Sequence, residues 1–128
     1  MTGPISLELF ASSTDFTAKR LDVWPNGFAQ NLTDRIIRAR YRNSFEKQEW
    51  TEPGQVYKFT VDAWATSNVF LASHRLRLDI SSSNFPRFDR NSNTGEDQGQ
   101  GTRMVKATNT IFHDPGHPSG IILPVVPQ

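Results

Sequence analysis

At 128 residues with a formal net charge of +1, 14 Lys plus Arg against 13 Asp plus Glu, the chain has the length of one domain and no charge excess that would draw nucleic acid or an anionic membrane from a distance. It has no Cys, which excludes disulfide frameworks, thiol nucleophiles and thiolate metal sites and leaves the redox compartment open. Nine Phe and three Trp supply a core without cross-links. No apolar run approaches the roughly 20 residues of a spanning helix, and Met1-Thr2-Gly3-Pro4-Ile5-Ser6 lacks the basic and apolar regions of a secretory signal, so a soluble protein, cytoplasmic by default, is expected.

Along the chain, Ile5, Leu7, Leu9 and Ala11 face one way and Ser6 and Glu8 the other, the period of a half-buried strand that begins almost at Met1. Residues 16–24 form a second extended run. Pro25-Asn26-Gly27 ends it and supplies the positive φ of a tight turn, predicting a hairpin into Phe28–Leu32. Beyond Asp34, Ile37, Ala39 and Tyr41 alternate with Arg38, Arg40 and Arg42, which on a strand places three guanidinium groups on one face. A short helix is the competing reading there, and strand is preferred because the alternation is strict. Residues 43–54 end in Glu52-Pro53-Gly54 and read as a loop.

Tyr57, Phe59, Val61 and Ala63, and then Leu76, Leu78 and Ile80, mark the two clearest strands. Residues 81–103 are rich in Ser, Asn, Asp, Gly and Gln and form a long loop or an ordered excursion, a length at which loops are often functional. Strands are expected again at about Val105–Phe112 and Gly120–Val126, separated by His113-Asp114-Pro115-Gly116-His117-Pro118. No sustained helical period and no internal repeat occurs, so the fold class is all-β, an antiparallel sandwich or barrel.

Catalytic chemistry finds little support. No Gly-x-Ser-x-Gly elbow is present; the nearest fragment, Gly116-His117-Pro118-Ser119-Gly120, has the wrong spacing, and Ser119 reads as a turn residue. His113, Asp114 and His117 are weak metal or acid-base candidates, more simply loop anchors, and no fourth ligand is identifiable. The aspartates give no glycosidase-like pair. Arg38, Arg40 and Arg42, and Arg75 and Arg77, read as solvated strand faces rather than phosphate sites. Asn31-Leu32-Thr33 matches a glycosylation acceptor by coincidence. Asn84, Phe85, Arg87, Phe88, Asp89, Arg90 and Asn91 combine rings, charges and amides as a covered surface does. They are either a self-packed rim, with Asp89 accepting hydrogen bonds from Arg87 or Arg90, or an interdomain interface.

That same segment, Ser81–Asn91 followed by Asn93-Thr94-Gly95, resembles a signature of the C-terminal, non-catalytic β-sandwich of serine acyl hydrolases like X-prolyl dipeptidyl peptidase and cocaine esterase. The likeness extends over Gly3-Pro4-Ile5, Thr14-Asp15-Phe16-Thr17-Ala18-Lys19, Ile37-Arg38-Ala39-Arg40-Tyr41-Arg42, Thr66-Ser67-Asn68-Val69-Phe70 and Leu123-Pro124-Val125, in the family's order. It implies a jelly-roll, galactose-binding-domain-like sandwich over residues 1–128 as a single domain. The Ser-Asp-His triad of the family belongs to a preceding α/β-hydrolase domain, so no catalytic residue carries over and no cofactor is expected. Departures are a short Ser12-Ser13-Thr14, Arg20 where an aliphatic residue is common, and Ser73 before His74 where Gly is frequent.

In the family the sandwich starts before the position of Met1. The expectation is a domain lacking N-terminal strands, with an open sheet edge that self-association covers. The function expected is a non-catalytic accessory domain of a hydrolase acting on ester or amide bonds, partnered in cis or in trans by its α/β-hydrolase domain. The alternatives are a free-standing carbohydrate- or protein-binding module, with Trp24, Trp50 and Trp64 as stacking platforms, and the remnant of a truncated hydrolase gene.

Overall fold

The computed structural model describes residues 1–96 and 101–126; the remainder of the expected 81–103 excursion, residues 97–100, lies outside that range, as do 127 and 128. Among the described residues eight strands run in order: β1 (Thr2–Ser12), β2 (Asp15–Val23), β3 (Ala29–Arg38), β4 (Tyr57–Ser67), β5 (Arg75–Ser81), β6 (Thr110–Asp114), β7 (His117–Pro118) and β8 (Gly120–Ile122). They form two antiparallel sheets. In one, β1 is central, with β4 along one side and β6 and β8 along the other, and β7 outside β6; in the second, β2 lies between β3 and β5. The molecule is a β-sandwich, one of the two architectures the period-two patterning allows and the one the family resemblance implies.

The alternating residues make the core. Ile5, Leu7, Leu9 and Ala11 of β1 and Phe59, Val61 and Ala63 of β4 are buried, and they meet Phe16, Ala18 and Ile37 of the second sheet. Phe16 and Phe59 pack across the interface at 5.3 Å between ring centroids, tilted by 60°, and each such buried side chain is worth roughly 1.5–3 kcal/mol. Strand β5 is less committed: Leu78 and Ile80 are half-buried and Leu76 is exposed, as suits an edge strand.

The expected hairpin forms at the Asn-Gly pair. Trp24 and Phe28 close it, with the Trp24 N–H donating to the Phe28 carbonyl at 2.8 Å and the Gly27 N–H to the Trp24 carbonyl at 2.9 Å. Gly27 adopts φ +89°, a conformation that costs a residue with a Cβ.

Five expectations are corrected. The strand through Arg42 stops at Arg38, because the Ala39 N–H turns inward to the Thr14 carbonyl at 2.7 Å and residues Ala39–Tyr41 close into a single 3-10 turn. Arg38, Arg40 and Arg42 therefore do not share a strand face. The strand expected from Val105 begins only at Thr110, since the Val105 N–H is taken by the Ser92 carbonyl at 2.8 Å. The segment between the last two strands is itself paired, as the β6–β7 hairpin with Asp114 opposite His117, and β8 ends at Ile122 rather than Val126. Ser119 is more than a turn residue: its hydroxyl donates to the Phe112 carbonyl at 2.6 Å and accepts the Phe10 N–H at 2.9 Å, joining β1 to β6.

Ser73 adopts φ +68° just before His74, the position where the family resemblance favours Gly. Left-handed backbone costs an ordinary residue about 1–2 kcal/mol, offset in part by the greater unfolded-state freedom of Gly. Ser73→Gly is expected to raise stability by about 0.5–1 kcal/mol in urea unfolding; a loss of stability would show that the Ser73 side chain makes a contact that outweighs its backbone strain.

Candidate interdomain surface

The segment after β5 is laid across β3 by polar anchors. The Asn84 side chain donates to the Asp34 carboxylate at 3.1 Å, Arg87 reaches the same carboxylate at 3.3 Å, and the Phe88 N–H returns to the Asn84 carbonyl at 3.2 Å. At its far end Arg38 donates to the Asp89 carbonyl at 3.1 Å. The backbone is therefore fixed while several side chains point away. Phe85 is 56% exposed under the Arg90 guanidinium, which lies 4.4 Å from the ring centroid. Phe88 is half-buried, with Arg87 at 5.7 Å from its ring.

The self-packed arrangement is thus only partly realised. Asp89 is exposed, and neither Arg87 nor Arg90 pairs with its carboxylate; the first goes to Asp34 and the second to Phe85. Farther along, Asn93 ties the excursion to its surroundings. At φ +57° it accepts from the Thr14 hydroxyl at 2.7 Å and donates to the Val105 carbonyl at 2.9 Å.

Beneath this segment lies a feature that spacing alone does not reveal. Asp15, 2% exposed, binds the Arg38 guanidinium at 2.6 Å and accepts the Ala39 N–H at 3.3 Å. Burial pushes its carboxyl above the ordinary aspartate value of 3.8, outweighing the opposing pull of Arg38, Ala39 and Asn91. A cavity of about 170 Å³ opens beside it, walled by Thr14, Asp15, Arg40, Trp50 and Asn91. Arg40 stands 5.1 Å from the Trp50 ring, while Arg42 turns to the Ala39 and Glu49 carbonyls at 3.0 and 2.7 Å. The sequence carries no clear signal for this pair, since its alternation runs the strand past Arg38; their union depends on the antiparallel register, Asp15 opposite Arg38.

The other candidates are dispersed. His117 and Asp114 meet within the β6–β7 hairpin at 3.2 Å, with the His117 ring against Phe10 and Phe112, whereas His113 turns to the Ser119 carbonyl at 3.1 Å. Among the described residues no group of three His, Cys, Asp or Glu side chains is disposed to hold a metal ion. Arg77 pairs with Asp79 at 2.7 Å on an exposed face of β5. Trp50 stands at the Asp15 end of the sandwich, while Trp24 and Trp64 lie toward the end where β2 and β4 finish, so the three rings form no common platform. No helix among the described residues is long and apolar enough to cross a membrane.

Residues 1–122 match the family model for the X-Pro dipeptidyl-peptidase C-terminal non-catalytic domain. The chain belongs to that family. It is 48% identical over 132 residues to cocaine esterase of Rhodococcus sp. (strain MB1 Bresler), covering 98% of this chain and 23% of the relative. Among solved structures it is similar to an α-amino acid ester hydrolase (TM-score 0.85, 27% identity, 93% of this chain and 22% of the other). An aminopeptidase from a marine sediment archaeon, Thaumarchaeota archaeon, matches with TM-score 0.77 and 27% identity over 94% of this chain and 22% of its own. The domain thus spans less than a quarter of the length of each of these relatives.

Within the domain, Asp15 has a definite pH signature. A carboxyl whose folded pKa is raised binds its proton more tightly in the folded state, so its contribution to stability falls as pH rises from the unfolded value of 3.8 through the raised value. The stability of wild type relative to Asp15→Asn is expected to decline over that window and then level off, as read by urea unfolding at a series of pH values. A relative gain for wild type with rising pH would show the opposite shift.

Proposed function

We propose that this domain is the non-catalytic accessory part of a serine hydrolase acting on ester or amide bonds, packed in cis against its α/β-hydrolase domain. The observation that carries the reading is the match of residues 1–122 to a non-catalytic C-terminal domain family, together with relatives in which the matched part is less than a quarter of the chain. Residues 84–91 are the contact surface in this reading. An anchored backbone that presents Phe85 and Arg90 outward has the composition of an interface centre, in which aromatic and Arg side chains carry most of the energy.

The intact gene product is expected to hydrolyse 4-nitrophenyl acetate or an X-Pro 4-nitroanilide, and the domain alone to hydrolyse neither. Asp89→Ala leaves the carbonyl that Arg38 uses and so spares the domain itself. In the intact product, Asp89→Ala and Phe85→Ala are expected to split a single melting transition into two while the nucleophile still reacts with a fluorophosphonate probe. A melt unchanged by both substitutions would remove residues 84–91 from the interface.

The domain by itself is also proposed to self-associate, because Phe45 (90% exposed), Val69 (72%) and Leu71 (60%) stand in water. Its mass by light scattering is expected to rise with concentration; a constant monomer mass at high concentration would defeat this part.

A further inference from the structure

Strand β2 presents Phe16, Ala18, Arg20 and Asp22 on one face, and Phe16 and Ala18 of that face lie in the apolar core. At Arg20 the interior changes character. Arg20 is 1% exposed, yet its guanidinium makes one weak contact, Nη1 to the Met1 sulfur at 3.5 Å, and Nε and Nη2 have no partner among the described residues. Buried Arg is almost always paired, because a desolvated charge without an anion is strongly unfavourable.

The neighbours deepen the imbalance. Thr33, directly opposite Arg20 on β3, has an unpartnered hydroxyl, and Arg35, two residues along, has an unpartnered Nε while its guanidinium covers the Trp64 ring at 3.8 Å. Asn68 carries an unpartnered amide nitrogen, and its backbone is tied to Met1 by two hydrogen bonds of 3.0 Å, one from the Met1 ammonium. Donors therefore dominate this end of the sandwich. Asp22, the buried carboxylate farther along the same face, is already held by His74 at 2.9 and 3.0 Å.

We propose that Arg20 is one half of an interdomain ion pair, whose carboxylate is an Asp or Glu side chain on the segment that leads from the hydrolase domain into the sandwich. This rests on the reading of the domain as part of a longer hydrolase. The free donors decide the chemistry: Nε and Nη2 form the side-on fork of a guanidinium, whose two parallel N–H groups match the two oxygens of a carboxylate. Position decides the source. The matching family model is that of a C-terminal domain and the matched part is 22–23% of two relatives, so in this reading the rest of the hydrolase precedes it, and position 1 lies against Arg20. By the family resemblance an aliphatic residue is common at this position, so Arg20 and the pairing proposed for it are a departure from the family's usual pattern.

The test uses formate as the probe carboxylate on the 128-residue chain, against chloride at equal ionic strength. Formate is expected to raise the melting temperature of wild type saturably by several degrees, and to leave Arg20→Leu and the unbranched Arg20→Met unmoved. Arg20→Lys, which keeps the charge without the fork, is expected to recover only a minor part. In chloride the apolar variants are expected to melt no lower than wild type, since they remove an unmatched charge. Equal effects of formate and chloride, or a formate effect that persists without Arg20, would overturn the pairing. In the intact gene product Arg20→Leu is expected to lower the melting temperature by several degrees; no loss there would overturn the assignment of the carboxylate to the preceding segment. Failure of the hydrolase reading is seen separately, in the activity of the intact product.

Discussion

Strand β2 is buried along almost its whole length while carrying Asp15, Thr17, Arg20 and Asp22. Charges in that setting have to be matched from elsewhere in the chain, and the matches organise the molecule. Asp15 draws in Arg38 and the Ala39 N–H, which ends β3 and starts the 3-10 turn. Arg38 in turn holds the Asp89 carbonyl, so the segment after β5 is fixed by the same charge that β2 buries. At the other end Asp22 binds His74, whose ring lies 5.1 Å from Trp24, locking the β4–β5 connection onto the β2–β3 turn.

The sandwich is therefore uneven. Around Phe16 and Phe59 it is a close-packed apolar core, and near Met1 its interior is lined with donors. An apolar core is stabilised by burial without directional demands, whereas a buried donor is costly until an acceptor reaches it. The first half of the interior is complete within the domain. The second holds buried donors that have no acceptor among the described residues.

The outer surface obeys a related logic. Arg35 over Trp64, Arg40 over Trp50 and Arg90 over Phe85 each set a guanidinium against an exposed ring. Such pairs hold large side chains in defined positions at modest energy while exposed, and gain when desolvated. Trp64 shows how the fold enforces this. It sits at φ +62° where two residues of β4 oppose one of β1, with its N–H held by Asp62 at 2.8 Å. A bulge of that kind redirects the side chain.

The strands β1, β4 and β5 were legible in the sequence by themselves, because one face of each meets the core and the period-two pattern records it, whereas β2, buried on both faces, was legible only as an extended run that ends at its turn. So was the β2–β3 hairpin, since Asn26-Gly27 suits the positive φ of its turn. The family was legible too, from ordered blocks that span nearly the whole chain. The fate of the polar residues was not. Alternation placed Arg38, Arg40 and Arg42 on one face, but a hydrogen bond from Ala39 to Thr14 diverts the backbone after the first of them. The β6–β7 hairpin is only two residues long on its second strand and closes through Pro115-Gly116, too short to leave a period. Local spacing fixes which residues face inward, through the geometry of a strand; which charge answers which is decided by the register between strands distant in sequence, because an ion pair forms wherever the fold brings its two halves together.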